Sequence, residues 1–370
     1  MPTLSRWAVL VLALGLTLPA HSAVTGSLNG DVRLRYENDW DSHTAAGALR
    51  ADRERGRVRA RLQGTIKFSP EWSFVARART GHRHSQQSPH LTFWASDDIT
   101  DDLSVVFDRY ALLFKEGANS VSVGRNSVPF WQQNEFVFDD DVTPTGVAFT
   151  HDVKTAGNTI TIAAGAFLMP DGADELNGSL LGGQIKLTRA IEKAQLTLAA
   201  GLYRLDGDDR GDRLRNRNGQ RDYLLGVLSA QYSFPVSGSL PLALGVDLIA
   251  NLEDYSVADA APFAPLHADE TNGWVLSAVL GQLKKAGDWQ AGYYYARIET
   301  FAVNAAYTQD DWARFGSATQ SDLTDIKGHE IRAAYAITPN LNVMARLFLV
   351  DAITSRQDGK RFRCDVNWKF

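Results

Sequence analysis

The sequence predicts an all-β protein: a transmembrane antiparallel β-barrel of about 16 strands, with short periplasmic turns and long external loops. Three observations favour this fold class. Apolar and polar residues alternate over segments of ten or more residues, and the connections between these segments are alternately short and long. No apolar run of 18 or more residues follows the N-terminal region, so strands, and not helices, would cross the membrane.

The N-terminal segment 1–23 has the three regions of a secretory signal peptide in order: a positive charge, a short apolar run and small residues. The apolar run is too short to span a hydrocarbon core of about 30 Å. We expect cleavage after Ser22 or Ala23. Residues 24–370 would then form a single barrel, because no linker or shift in composition divides them.

Alternation with a period of two is clearest in residues 57–68 and 361–370, where every even position is apolar or glycine and every odd position is polar. Such a pattern indicates a strand with one apolar and one polar face. Sixteen segments of this kind are predicted, near 25–37, 55–68, 72–81, 105–115, 120–125, 145–152, 159–168, 180–188, 195–205, 222–234, 241–253, 273–283, 289–300, 328–337, 341–351 and 361–370.

The connections alternate between tight turns, such as 69–71 and 116–119, and long loops, such as 126–144 and 301–327. An even strand number with this alternation is typical of bacterial outer-membrane barrels and puts both termini on the periplasmic side. A soluble β-sandwich is the competing fold. Its strands average about 5–6 residues, whereas many segments here have 10–13 residues, which favours the barrel.

Composition excludes several other classes. Lys and Arg together number 38 against 43 Asp and Glu, so the chain is mildly acidic and is not expected to bind nucleic acid. Cys364 is the single cysteine, so no intramolecular disulfide can form.

Residues 123–149, "VGRNSVPFWQQNEFVFDDDVTPTGVAF", are similar to a motif of the putative porin family of Gram-negative outer membranes, which are 16-stranded porin-like barrels. The motif has Gly-Arg at a strand end, then Pro-Phe, an acidic stretch and a glycine that opens the next strand. The resemblance is densest over about 28–150. It implies a channel and a homotrimer. It also implies that the alternating C-terminus with Trp368 and Phe370 is a signal for the outer-membrane assembly machinery.

If the apolar residues face lipid, the polar residues line the interior, since Arg or Lys on the lipid face at midplane costs about 2–4 kcal/mol. An inner surface rich in arginine would attract anions. Mutual pairing with acids, without selectivity, is the alternative. The predicted pore-lining residues are Arg33, Arg35, Arg57, Arg59, Arg61, Arg77, Arg79, Arg109 and Arg125.

The connection 126–144 is the candidate constriction loop. It carries Glu135, Asp139, Asp140 and Asp141, which could face the arginines across the pore. The alternative is an ordinary external loop exposed to solvent.

Histidines give little support to a catalytic or metal site. His82, His84 and His90 share one long loop and are expected to be solvated. His151 and His329 lie in or near strands, but no nucleophile or orienting carboxylate occurs at a diagnostic spacing. We therefore expect no enzyme activity, no cofactor and no metal.

The sequence thus predicts an outer-membrane porin that passes small hydrophilic solutes by passive diffusion, with a preference for anions. A substrate-selective channel for a small anion is the alternative within this class, and a barrel enzyme or loop-mediated adhesin is the alternative outside it. The expected partners are the lipid bilayer, lipopolysaccharide (through the charged loop 206–219) and small solutes.

Overall fold

The computed structural model describes residues 24–82, 86, 89–170, 176–207, 221–255, 267–312 and 324–370. The predicted signal peptide and most of the charged loop 206–219 lie outside these residues. The described strands are β1 (Thr25–His43), β2 (Arg53–Lys67), β3 (Trp72–Thr80), β4 (Leu91–Ala95), β5 (Val105–Glu116), β6 (Asn119–Arg125), β7 (Thr145–Thr155), β8 (Asn158–Pro170), β9 (Leu176–Ile191), β10 (Ala194–Asp206), β11 (Tyr223–Ser237), β12 (Leu240–Asn251), β13 (Asn272–Gly281), β14 (Trp289–Ile298), β15 (Ile326–Thr338), β16 (Leu341–Ala352) and β17 (Asp358–Lys369).

Sixteen of these strands form a closed antiparallel barrel, which confirms the predicted fold class and strand number. Each barrel strand pairs with its neighbours along the chain, and β1 pairs with β17 to close the cylinder. The short strand β4 is not part of the cylinder. It belongs to the connection between β3 and β5 and folds back onto the external end of β2. All sixteen predicted segments coincide with barrel strands, and the differences lie at the strand ends.

Alternation along the strands puts large apolar side chains on the outer surface. Leu28 and Leu34 of β1 are 67% and 51% exposed, whereas Arg35 between Leu34 and Tyr36 is buried. The same holds for other strands, as expected for a barrel whose outer face contacts acyl chains. Among the described residues, no helix has the length and apolar character needed to cross a membrane.

The interior is not polar throughout, which corrects the expectation that the polar face alone lines the lumen. On the inner wall between β8 and β16, the external half carries a buried apolar cluster that includes Phe167, Leu205, Leu225, Ile249 and Phe348. Two connections, which include residues 126–144 and 299–312, fold into the barrel and cover this cluster. Their apolar side chains would otherwise face the water of the lumen, and their burial stabilises the inward position.

Closure of the barrel brings the C-terminal residue onto β1. The backbone N–H of Gly30 donates to the carbonyl oxygen of Phe370 at 2.9 Å, and the Phe370 N–H donates to the Gly30 carbonyl at 3.0 Å. The Phe370 ring packs closely over Gly30: a Cβ added at Gly30 would lie only 2.7 Å from the ring. The chain end is therefore a paired strand and not a free tail.

We predict that Gly30→Ala destabilises the barrel, whereas Gly64→Ala does not. At Gly30 the added methyl would clash with the Phe370 ring and lie 2.6 Å from the carbonyl oxygen of Arg61. Overpacking of this kind costs about 1–3 kcal/mol. At Gly64, opposite Leu28, nothing lies within 4 Å of the added atom. Thermal unfolding in detergent, followed by circular dichroism, measures both, and equal midpoints for the two variants would contradict the expected clash.

Candidate channel constriction

Eight of the nine arginines predicted to line the pore lie on the inner face of four neighbouring strands, β1, β2, β3 and β5. We call this surface the arginine wall; it consists of Arg33, Arg35, Arg57, Arg59, Arg61, Arg77, Arg79 and Arg109. The strand register places like charges side by side: Arg33 is opposite Arg59, and Arg77 is opposite Arg109. Such cross-strand pairs repel each other unless acidic groups lie near them.

Carboxylates from the same strands and from β17 lie among these arginines. Arg35 makes two hydrogen bonds to Asp365, at 2.7 and 3.0 Å. Asp31 accepts from Arg59 at 2.9 Å and from Arg61 at 2.8 Å. Sequence reasoning did not include Asp31 and Asp365 in the site, although both occupy inward positions of the alternating pattern and could have been found there.

The alternating pattern does not predict that Asp108 faces the interior. The register shifts in β5, so that Arg77 is opposite Arg109 while Ala78 is opposite Phe107. The bulge turns both Asp108 and Arg109 into the barrel, and Asp108 is fully buried. Its carboxylate accepts from Arg77 Nε at 2.9 Å and lies 3.3 Å from Arg79 Nε.

Arg33, Arg109 and Arg125 make no hydrogen bond to a carboxylate of the described residues. Arg33 Nε donates to Asn367 at 2.6 Å, and the carboxylate of Asp365 is 4.0 Å away. Within the part of the chain that the structure describes, the Arg109 side chain makes no ion pair. Arg125 is separate from the arginine wall; it follows Gly124, whose φ is 124°, and its Nε donates to the carbonyl oxygen of Thr143 at 3.0 Å.

The structure places the loop 126–144 inside the barrel, where it is anchored on the inner wall opposite the arginine wall. The backbone N–H of Trp131 donates to Gln184 Oε1 of β9 at 2.7 Å, and Gln184 Nε2 donates back to the Trp131 carbonyl at 2.8 Å. Gln133 Nε2 donates to the carbonyl of Val246 at 2.8 Å. The rings of Phe130 and Tyr203 lie 4.7 Å apart.

The same loop reaches the arginine wall with its acidic end. Asp141 forms an ion pair with Arg61 at 3.0 Å and lies 3.9 Å from Arg59. Asp139 accepts from the backbone N–H of Asp141 at 2.9 Å. The loop therefore crosses the lumen, with apolar contacts on one wall and charged contacts on the other.

A second inward segment, residues 299–312, was expected to be part of an external loop, and that expectation was wrong for its described part. Phe301 is fully buried, and Thr308 Oγ1 donates to the carbonyl oxygen of Phe136 at 2.7 Å. Asp311 forms ion pairs with Arg346 and Arg363. The apolar content of this stretch, "FAVNAAYTQDDW", is the sequence signal that could have indicated burial.

These loops and the arginine wall enclose a polar cavity of about 50 Å³, enough for a few water molecules. Pro89 and His90 also line the cavity. His90 was expected to be solvated, and that expectation was wrong: it is 7% exposed and lines the cavity. The charged lining residues are Arg33, Arg35, Arg59, Arg346, Glu135, Asp139, Asp140, Asp141, Asp310 and Asp311.

The charge of the inward loop 126–144 depends on pH. Burial and the neighbouring carboxylate of Asp140 raise the pKa of Asp141 to about 6. Burial, with Asp140 and Asp311 nearby, raises the pKa of Glu135 to about 8. Burial likewise raises the pKa of Asp139 well above its ordinary value. The loop therefore carries less negative charge near neutral pH than its sequence suggests.

The two histidines considered for catalysis face away from the lumen. His151 lies on the outer face beside Phe149 and its Nδ1 is 2.7 Å from Asn119 Oδ1. His329 is on the outer face too, with its Nδ1 2.8 Å from the Tyr293 hydroxyl. Neither pairs with a carboxylate among the described residues.

A closed 16-stranded barrel with loops folded into it defines a porin-type outer-membrane barrel. The chain belongs to the putative porin family, whose sequence profile matches residues 42–207 and 221–370. No curated protein sequence matches the chain.

Three solved structures illustrate the similarity of fold. OprB of Pseudomonas putida at high pH is 12% identical, with 93% of this chain and 94% of that chain covered and a TM-score of 0.57. OmpT of Vibrio cholerae in its trimer form is 10% identical, with 94% and 100% covered and a TM-score of 0.54. OmpF of Salmonella typhi, in complex with daunomycin, is 13% identical, with 93% and 97% covered and a TM-score of 0.52. At these identities the likeness concerns the fold alone.

We predict that Asp108→Asn destabilises the barrel strongly. The substitution removes the negative charge of Asp108, which faces the buried guanidinium groups of Arg77 and Arg79. Removal of one partner of a buried ion pair costs about 3–5 kcal/mol. Urea unfolding of the protein in lipid vesicles, followed by tryptophan fluorescence, measures the change.

Asp206→Asn is the matched control, because Asp206 pairs with Arg204 at 2.8 Å on the exposed end of β10. Solvent screens that pair, so we expect little change. A comparable loss of stability in both variants would contradict the role assigned to Asp108.

Proposed function

We propose that the protein is a Gram-negative outer-membrane porin, a water-filled channel for passive diffusion of small hydrophilic solutes with a modest preference for anions. The observation that supports this function best is the loop 126–144, which crosses a closed barrel and faces the arginine wall through Asp141. A barrel of sixteen strands is wide enough to leave an aqueous channel, and an internal loop narrows it without closing the cylinder.

The preference for anions follows from the arginines that carboxylates do not fully balance. Arg33 and Arg109 make no ion pair closer than 4.0 Å with the described residues, and both belong to the arginine wall. Most of the other arginines are paired, so the net field is weaker than nine unpaired charges would give. A channel selective for one small anion is the second candidate, favoured by the narrow charged cavity.

Planar-bilayer recording tests the proposed function. We expect stepwise conductance and a chloride-to-potassium permeability ratio above one in a KCl gradient. Absence of steps would contradict a channel and would favour an adhesin or an enzyme, while a preference for potassium would contradict the anion preference alone.

We predict that the preference for chloride rises as the pH falls from about 9 to 5. Glu135, with its pKa near 8, and Asp141, with its pKa near 6, gain protons on acidification, so negative charge is lost while the arginines stay charged. The reversal potential in a KCl gradient, measured across this range, reports the ratio. Glu135→Gln should remove the part of the rise near pH 8 and keep the part near pH 6; a ratio independent of pH would contradict the assignment.

We further propose that an N-terminal signal peptide, residues 1–23, directs export, and that the assembly machinery of the outer membrane recognises Trp368 and Phe370. Both aromatic residues lie on the outer face, 51% and 50% exposed, at the periplasmic end of β17. A homotrimer is proposed by analogy with the trimer form of OmpT, and lipopolysaccharide is the expected lipid partner of the external loops.

Phe370→Ala should lower the amount of assembled protein in the outer membrane several-fold, because the variant keeps the backbone bonds to Gly30 but loses the ring. Heat-modifiable migration in electrophoresis measures assembly in cells. Phe370→Tyr keeps the ring and is the control. The purified Phe370→Ala chain should still refold in detergent. Normal membrane levels of this variant would contradict the recognition role, and failure to refold in detergent would assign the residue a purely structural role.

A further inference from the structure

Two opposite sides of the polar cavity carry opposite charge. Arg33, Arg35, Arg59 and Arg346 project from barrel strands, whereas Glu135, the three aspartates 139–141 and the two aspartates 310–311 come from the inward loops. Most of the arginines already have carboxylate partners from the barrel or the loops. A solute that enters the cavity therefore contacts mainly the charged side chains that are not engaged in these ion pairs.

On the basic side that group is the guanidinium of Arg33. Its Nε donates to Asn367, and its two terminal nitrogens make no hydrogen bond to any described residue. The side chain is 25% exposed, so the fork of two N–H groups is open to the cavity. A planar guanidinium with two free donors matches a carboxylate in a bidentate geometry.

On the acidic side the corresponding groups are Asp140 and Asp310. Neither side chain makes a hydrogen bond or an ion pair with the described residues, although Asp310 is only 6% exposed and lines the cavity. The carboxylate oxygens of Asp310 and Asp140 are not fully enclosed, so they can accept hydrogen bonds from a solute in the cavity. An ammonium group from a solute would supply the missing donors.

The charged groups of the cavity lining also favour a solute that carries both an ammonium and a carboxylate group. Burial raises the pKa of Glu135 to about 8 and that of Asp139 well above its usual value, so the acidic side carries less negative charge at pH 7 than its number of carboxyl groups suggests. Apart from these two carboxyl groups, the carboxylic acid and guanidinium side chains of the lining are four aspartates and four arginines. A solute that carries both a positive and a negative group can contact the arginines and the aspartates at the same time.

We propose that this cavity is a subsite for small zwitterions of the α-amino acid type, with the carboxylate on Arg33 and the ammonium on Asp310 and Asp140. The cavity volume of about 50 Å³ restricts the charged part of the solute to a few atoms. The subsite rests on the proposed channel function and names the class of solute that the constriction retains.

Four two-carbon solutes separate the contributions of the two charges: glycine has both, glycolate has the carboxylate, ethanolamine has the ammonium and glycolamide has neither. Each is added to a planar bilayer at pH 7 while potassium chloride current through the protein is recorded. We expect glycine to reduce the current by half at a concentration at least tenfold lower than any of the other three.

Two variants assign the charges. Arg33→Gln should make glycine no better than ethanolamine, and Asp310→Asn should make glycine no better than glycolate. Arg33→Lys keeps the charge but not the fork, and should keep part of the preference. Arg204→Gln and Asp254→Asn change exposed residues away from the cavity and should leave the preference intact. Circular dichroism and the conductance without solute verify that each variant is folded.

An open channel in which glycine blocks no better than glycolate or ethanolamine would overturn the zwitterion subsite and leave the porin function standing. Retention of the glycine preference in both Arg33→Gln and Asp310→Asn would overturn it as well. Absence of any current would contradict the porin function itself, and with it the subsite.

Discussion

The structure depends on one constraint: no backbone N–H or C=O group may be left unpaired in lipid. The ladder between β1 and β17 meets this requirement, because it joins the first strand to the last over positions from Asp31 opposite Lys369 to Asp39 opposite Arg361. Once the cylinder is closed, every strand has a fixed outer and inner face. The apolar residues then face lipid, and the charged residues have no place except the interior.

A second constraint is the crowding of positive charge on the inner face. Arginines opposite one another on β1, β2 and β3 would repel, and acids placed on the same face offset this repulsion. Arg361 of β17 donates from Nε to Asp39 at 2.6 Å, and Arg53 of β2 donates to the same carboxylate at 2.9 Å. Asp39 therefore links the strands on either side of β1. The wall is a network of shared carboxylates, and only a few of its positive charges remain available to solutes.

The fold could be predicted from the sequence because a period of two over ten or more residues has one physical meaning, and sixteen repetitions of it leave little ambiguity. The inward direction of the arginines followed from the same pattern. Three features could not be obtained in this way. Asp108 faces inward because of a bulge, which breaks the pattern. The segment 299–312 is buried by tertiary contacts with the loop 126–144, for example between Gln309 and Glu135. Its apolar composition indicates burial, but the alternating pattern does not encode these contacts.

The third feature is the division of the interior into a charged wall and an apolar one. The inner positions of β11 change from Ser229 to Val227, Leu225 and Tyr223 toward the external end, so the strand there is apolar on both faces. This change coincides with the part of the inner wall that the loop 126–144 covers. It can be interpreted only once the position of that loop is known. The inward position of the loop 126–144 is thus produced by apolar packing on one side and ion pairing on the other.

The central claim, that the loop 126–144 lies in the conducting path, is tested most directly by a cysteine at Asp140 in a Cys364→Ser background. We expect a charged, bulky thiol reagent to reduce the single-channel current of the Asp140→Cys protein stepwise, since this position borders the cavity. Asp254→Cys, on an external segment, should be labelled without loss of current. Full labelling at position 140 with unchanged current would contradict the claim.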